Sequence, residues 1–127
     1  MKKIKLSVAF KDERGEIIDL IEGEEINAVT IISFSPGVVR ANHYHKKTTQ
    51  WNYVLSGEIR LATKLPGEDI NEVVMKKGEL YETAPGEQHA LQSIGEANLM
   101  VFTRGPRGGQ DYESDTFRLE NPLINPE

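Results

Sequence analysis

The chain has 127 residues, enough for one domain with a core of its own. It has no cysteine, which excludes disulfides, thiolate metal sites and a cysteine nucleophile; a metal could rest only on nitrogen and oxygen ligands. The formal net charge is −5, and the one dense basic cluster is Lys2, Lys3 and Lys5, so the chain lacks the basic stripe of a nucleic-acid binder.

In chain order, the apolar residues of Met1–Phe10 are too few and too interrupted for a signal peptide. No stretch reaches the length needed to span a bilayer, so a soluble, cytoplasmic protein with no membrane partner is expected. Ile4, Leu6 and Val8 alternate with polar residues, as in a strand that could pair at the edge of a neighbouring subunit. Candidate strands follow at Glu16–Ile21, Ala28–Phe34, Trp51–Ser56, Glu58–Thr63, Glu72–Lys76, Leu80–Thr83, Ala90–Ser93 and Leu99–Thr103. Ser35-Pro36-Gly37, Ser56-Gly57, Pro66-Gly67, Lys77-Gly78, Pro85-Gly86, Gly95 and Gly105-Pro106 are turn signals between them. Only Asp19–Asn27 could be read as a helix, and Gly23 speaks against it. Many short strands at this spacing predict an all-β antiparallel sandwich or barrel. One domain over residues 1–127 is expected, with a barrel core from about 26 to 104 and a polar, proline-containing arm from 105 to 127.

All three histidines fall into one pattern. His43 and His45 are two apart, so on a strand both side chains face the same side. Lys46-Lys47-Thr48-Thr49 reads as a hairpin turn, after which Gln50 could rejoin them on the returning strand. His89 follows the Pro85-Gly86 turn, which can swing it under the same point. Three imidazoles and a carboxamide oxygen make a neutral donor set for a divalent ion such as zinc, iron, manganese, nickel or cobalt.

The run Gly37, His43-Tyr44-His45, Gln50, Gly57 resembles the first cupin motif at every spacing, and Gly78 with Pro85-Gly86-Glu87-Gln88-His89 resembles the second. The resemblance implies a double-stranded β-helix, the cupin or jelly-roll barrel, with His43, His45, Gln50 and His89 as metal ligands. Most metal-binding cupins carry glutamate where this chain has Gln50. A glutamine there can ligate, orient water, or leave the site without metal and the histidines available for proton transfer.

Asp12-Glu13-Arg14-Gly15, His43-Tyr44-His45-Lys46-Lys47 and Asp115-Thr116-Phe117 resemble cupins that epimerise or isomerise nucleotide-linked keto sugars. That resemblance implies proton abstraction beside a carbonyl, with His43 or His45 as base if no metal binds. With the histidines occupied by metal, Tyr53, Tyr44 or Tyr81 becomes the proton carrier. Arg40, Arg60 or Lys64 could meet phosphate groups. Two other readings stay open: a cupin dioxygenase with a redox metal on three histidines, and a non-catalytic ligand-binding or sensor barrel. In each case the partner is a small molecule. A homodimer is expected, with the N-terminal segment or the arm Asp111–Glu127 covering a sheet edge; Asp111, Tyr112 and Phe117 would be placed to close the pocket.

Overall fold

A computed structural model describes residues 1–106 and 113–126. The strands are β1 (Lys2–Ile4), β2 (Val8–Asp12), β3 (Gly15–Ile18), β4 (Ala28–Phe34), β5 (Val39–Tyr44), β6 (Thr49–Lys64), β7 (Asn71–Lys76), β8 (Leu80–Thr83), β9 (Gln88–Arg104) and β10 (Phe117–Arg118). The fold is the expected all-β jelly-roll barrel. Residues 19–27 form neither helix nor strand.

β6 and β9 are the spine. The first half of β6 pairs with the end of β9, Asn52 opposite Val101, and its second half pairs with the start of β9, Leu61 opposite Leu91. On one side β8 and β1 extend the ladder from β6, and β4 pairs with the end of β9. On the other side β7 flanks β6, while β5 and then β10 extend from the start of β9.

The sequence predicts two strands where β6 runs and two where β9 runs. Each pair is one strand, because the chain bulges rather than turns back. Register shifts between Val54 and Ser56 and between Ser56 and Glu58 bend β6 from one layer into the other. Gly57 permits this with a φ of 75°, and a Cβ there would collide with the Glu96 carbonyl and with Ala97. Between the layers lie Phe34, Val54, Ile59, Leu61, Met75 and Leu99, all buried. Each such side chain contributes about 1.5–3 kcal/mol by leaving water.

The Lys46–Thr48 segment is not a hairpin turn. β5 pairs with β9 and β10, not with β6, so this segment crosses between layers. The strand before it carries the feature that sets the site. Ala41 pairs with Ala90 and His43 with His89, so Asn42 is an extra residue with no opposite number. Ala41 and Asn42 both lie in the left-handed region, at φ 70° and 57°. Strict alternation from Arg40 would turn His43 outward; the inserted residue turns it inward.

Asn42 also anchors the tail. Its side-chain oxygen accepts from the amides of Leu123 (2.8 Å) and Ile124 (3.3 Å), and its nitrogen donates to the Ile124 carbonyl (2.9 Å). Its main-chain carbonyl accepts from Leu119. Ile124 is thereby buried against Ala62 and Ala90 on the outside of the barrel. Asn42→Ala should lower the unfolding free energy by about 2–3 kcal/mol, since it deletes these side-chain bonds and gives up the residue type that best tolerates this backbone. Urea denaturation measures it.

Candidate functional site

The bulge and the second-motif turn bring the histidines together. His43 faces His89 directly across β5 and β9, with ring centroids 4.7 Å apart. His45, just past the end of β5, has its ring 4.8 Å from His43 and 5.3 Å from His89. One nitrogen from each ring falls within a set spanning 4.8 Å, and all three residues are buried. The Gly86 amide donates to the His45 carbonyl (2.6 Å), tying the turn before His89 to the first-motif histidines.

Two of the imidazoles have their tautomers fixed. His45 donates from Nδ1 to the Asp115 carbonyl (2.8 Å), and His89 donates from Nδ1 to the Glu87 carbonyl (3.1 Å). A carbonyl can only accept, so in each ring the lone pair lies on Nε2. Burial drives the His89 pKa down from 6.5 to about 4, against the opposing pull of the Glu87 carbonyl and with further lowering from His45. His89 is therefore neutral at physiological pH, the form in which imidazole ligates metal. The donor set fits a divalent ion: two oriented imidazoles, His43 across from one of them, and Gln50 on the same cavity wall.

The cavity has a volume of about 280 Å³. His43, His89, Gln50, Asn52 and Thr83 form its polar end; Ile32, Leu61, Leu91 and Val101 form an apolar wall; Arg40 is the cation among its lining residues. Gln50 opposes Thr83, and Asn52 opposes Tyr81, in adjacent rows of one inward face. Arg40 is held by a bond to the Ser33 carbonyl (3.1 Å) and lies 5.3 Å over the Phe34 ring.

The structure brings together His43, His45, His89 and Gln50, and leaves out Tyr53. Tyr53 sits one residue out of step with Gln50 and Asn52, on the opposite face of β6. Tyr44 stacks on Phe117 at 5.3 Å outside the cavity, and Tyr81 belongs to the core. No tyrosine lines the cavity among the described residues. Arg60 is engaged by Glu72 and Gln92 (both 2.8 Å), away from the pocket. Asp111 and Tyr112 lie outside the described residues.

Asn52 was legible as a neighbour of Gln50 by alternation, whereas Thr83 comes beside Gln50 only through the β6–β8 register. Asp115 entered only through the resemblance of Asp115-Thr116-Phe117, which assigned it no role. It is buried, and its carboxylate accepts from the amides of Lys46 and Lys47 (both 3.0 Å) and from the Thr48 hydroxyl (2.7 Å). This carboxylate caps the segment that carries His45, while its own carbonyl orients the ring. Burial alone would raise the Asp115 pKa, but bonds from Thr48, Lys47 and Lys46, with the nearby His45, hold it below the usual carboxylate value.

Comparison with known proteins agrees with this architecture. The Campylobacter jejuni TDP-quinovose 3,4-ketoisomerase WlaRB superposes with a TM-score of 0.78 at 19% identity, over 93% of this chain and 92% of that one. The sugar 3,4-ketoisomerase QdtA of Thermoanaerobacterium thermosaccharolyticum, in complex with TDP, gives 0.72 at 20%, over 94% and 86%. The capsular polysaccharide assembling protein CapF of Staphylococcus aureus gives 0.67 at 20%, over 92% of this chain but 35% of that one. These likenesses and the paired histidine motifs define a cupin-type barrel. By a family model matching residues 10–117, the chain belongs to the Polysaccharide biosynthesis C-terminal domain family. A curated relative is the UDP-2-acetamido-2,6-beta-L-arabino-hexul-4-ose reductase of Pseudomonas aeruginosa, 26% identical over 115 residues; the match takes in 87% of this chain but only 28% of that protein.

Two pH effects follow for the metal-free protein. The folded His89 pKa lies below its unfolded value of 6.5, so its contribution to stability is present above about pH 6.5 and is lost as pH falls towards 4. His89→Gln should flatten a plot of melting temperature against pH in that window. The depressed Asp115 pKa stabilises the fold above the ordinary aspartate value, and that share is lost as pH falls through the folded one. Asp115→Ala should therefore cost stability at pH 7, by about 2–3 kcal/mol, and cost less in acid.

Proposed function

We propose that this chain is the cupin module of a carbohydrate-modifying enzyme. It moves a proton at the carbon beside a carbonyl of a sugar or nucleotide-linked sugar, as an isomerase or epimerase does. His43, His45 and His89, with the Gln50 oxygen, hold a divalent metal ion. The observation that carries the reading is the convergence of three buried imidazoles, two of them with fixed tautomers, at a cavity of about 280 Å³ that His43 and His89 line. The cavity suits one sugar ring, and a nucleotide would extend past Arg40 at the rim. The folds it resembles include proteins named as sugar-nucleotide 3,4-ketoisomerases. Because the chain spans about a quarter of the reductase it matches, that protein's reducing activity is not carried over.

When bound, the ion polarises a carbonyl and lowers the pKa of water. The protein's own groups divide the remaining work. His45 and His89 are set by the carbonyls of Asp115 and Glu87. Asn52, held by the Tyr81 carbonyl (3.1 Å), and Thr83 present polar groups to a sugar hydroxyl, while the aliphatic wall accepts a deoxygenated carbon. A second reading is favoured by the lining itself. Among the described residues that line the cavity, imidazole is the one side chain able to take up and return a proton as a base. Without metal, His43 is then the proton carrier.

Metal analysis combined with solvent-deuterium exchange into a TDP-linked 4-keto sugar separates these readings. The metal-centre reading expects about one equivalent of ion, lost from His43→Ala, His45→Ala and His89→Ala alike, with exchange at least 100-fold slower in each. The second reading expects no metal and loss of exchange concentrated in His43→Ala. Exchange that survives all three substitutions would remove both.

We also propose a homodimer. Val29 beside Phe102 and Ile31 beside Met100 form apolar rows on the outer face of β4 and β9, and Val29 and Ile31 are more than half exposed. Phe10 and Ile17 on the β2–β3 hairpin are likewise exposed. A two-stranded hairpin is marginal alone in water, and a second copy can cover it. Sedimentation should show a dimer, converted to monomer by Ile31→Lys.

A further inference from the structure

The cavity lining has an unusual charge balance for a site able to hold a divalent cation. Its donor groups are all neutral: His43, His89 and Gln50, with His45 behind them. Its one lining cation is Arg40, and no carboxylate lines it among the described residues. The two buried carboxylates among the described residues are turned elsewhere. Asp115 is occupied by the Lys46 and Lys47 amides and the Thr48 hydroxyl, and Glu87 by the Ala84 amide and the terminal ammonium of Met1.

A carboxylate among the ligands would cancel half the charge of a divalent ion. Among the described residues, nothing in the lining does so. A doubly charged centre in a cavity walled by Ile32, Leu61, Leu91 and Val101 is poorly screened, and opposite charge brought to it is strongly favoured.

We infer that Gln50 is a charge-setting residue, and that its neutrality makes the metal-loaded cavity a receptor for small anionic ligands that chelate through two adjacent oxygens, the class to which an enediolate belongs. This rests on the metal-centre reading proposed above and adds the ligand class. A neutral keto sugar then gains most of its electrostatic stabilisation only after it has lost its proton, so the site distinguishes the anion from its precursor. Position 50 is suited to set this balance. It lies on the cavity wall opposite Thr83, in the row next to Asn52, and it is buried. A glutamate of the same size there would lower the charge of the centre by one while leaving the shape of the cavity unchanged.

The test uses the zinc-loaded protein and calorimetric titration with acetohydroxamate, which binds metal as a bidentate monoanion. Its O-methyl ether, which lacks the ionisable hydroxyl, is the neutral control. Gln50→Glu should bind zinc at least tenfold more tightly than wild type and acetohydroxamate at least tenfold more weakly, with the ether little changed. Gln50→Met removes the carboxamide while staying neutral, and should keep acetohydroxamate affinity within about threefold of wild type. This second variant decides the matter should Gln50→Glu not fold: a tenfold loss in Gln50→Met would mean the carboxamide itself holds the ligand, and the charge account is wrong. Equal acetohydroxamate affinity in wild type and Gln50→Glu, with zinc retained by both, overturns the inference and leaves the metal centre standing. A wild type that retains no zinc overturns the metal centre, and this inference with it.

Discussion

Everything at the cavity depends on the two-residue left-handed step at Ala41 and Asn42. A strand alternates strictly, and β5 without its extra residue would present His43 to solvent and Asn42 to the interior. The step costs backbone energy, since an alanine at φ 70° carries its Cβ against the following carbonyl. That cost is offset by what surrounds it. Asn42 binds the tail through its side chain and main chain, and His43 gains its place opposite His89. The strain thus sits where it re-aims a side chain, as bulges beside functional sites do.

A second set of contacts turns proximity into orientation. His45 is not on a ladder, so its direction is fixed by neighbours. The Gly86 amide takes its carbonyl, the Asp115 carbonyl takes its Nδ1–H, and the Asp115 carboxylate holds the next three residues. The partners come from β8–β9 on one side and from the tail on the other. Such outer contacts set ring direction and basicity as surely as the identity of the donors.

The sequence disclosed much of this and hid the rest for identifiable reasons. β4 and β8 match their expected limits to the residue, because apolar alternation and flanking turn residues agree there. β6 and β9 were each divided in two, because Gly57 and Gly95 look the same in a sequence whether a chain reverses or merely bends. The meeting of His43, His45 and His89 followed from motif spacing, and the inward face of Gln50 and Asn52 from alternation. Tyr53 fails by that same alternation, which places it with Trp51 on the far face. Ala41–Asn42 contains no glycine to announce a left-handed turn, and Asp115 stands 70 residues from the ring it orients, so neither was legible locally.

That separation has a consequence for how the chain comes to possess a site at all. β5 must find β9, and the tail must then close over β5, before the three imidazoles point one way. Contacts this distant along the chain form late and slowly, because each closes a long loop before it is rewarded. A partly folded chain has scattered histidines and no cavity. If the proposed ion binds only the finished arrangement, it would draw the folding equilibrium towards it by mass action. The tail, which touches no cavity wall through Asp115 itself, would then work as a latch that turns a collapsed barrel into one competent to bind.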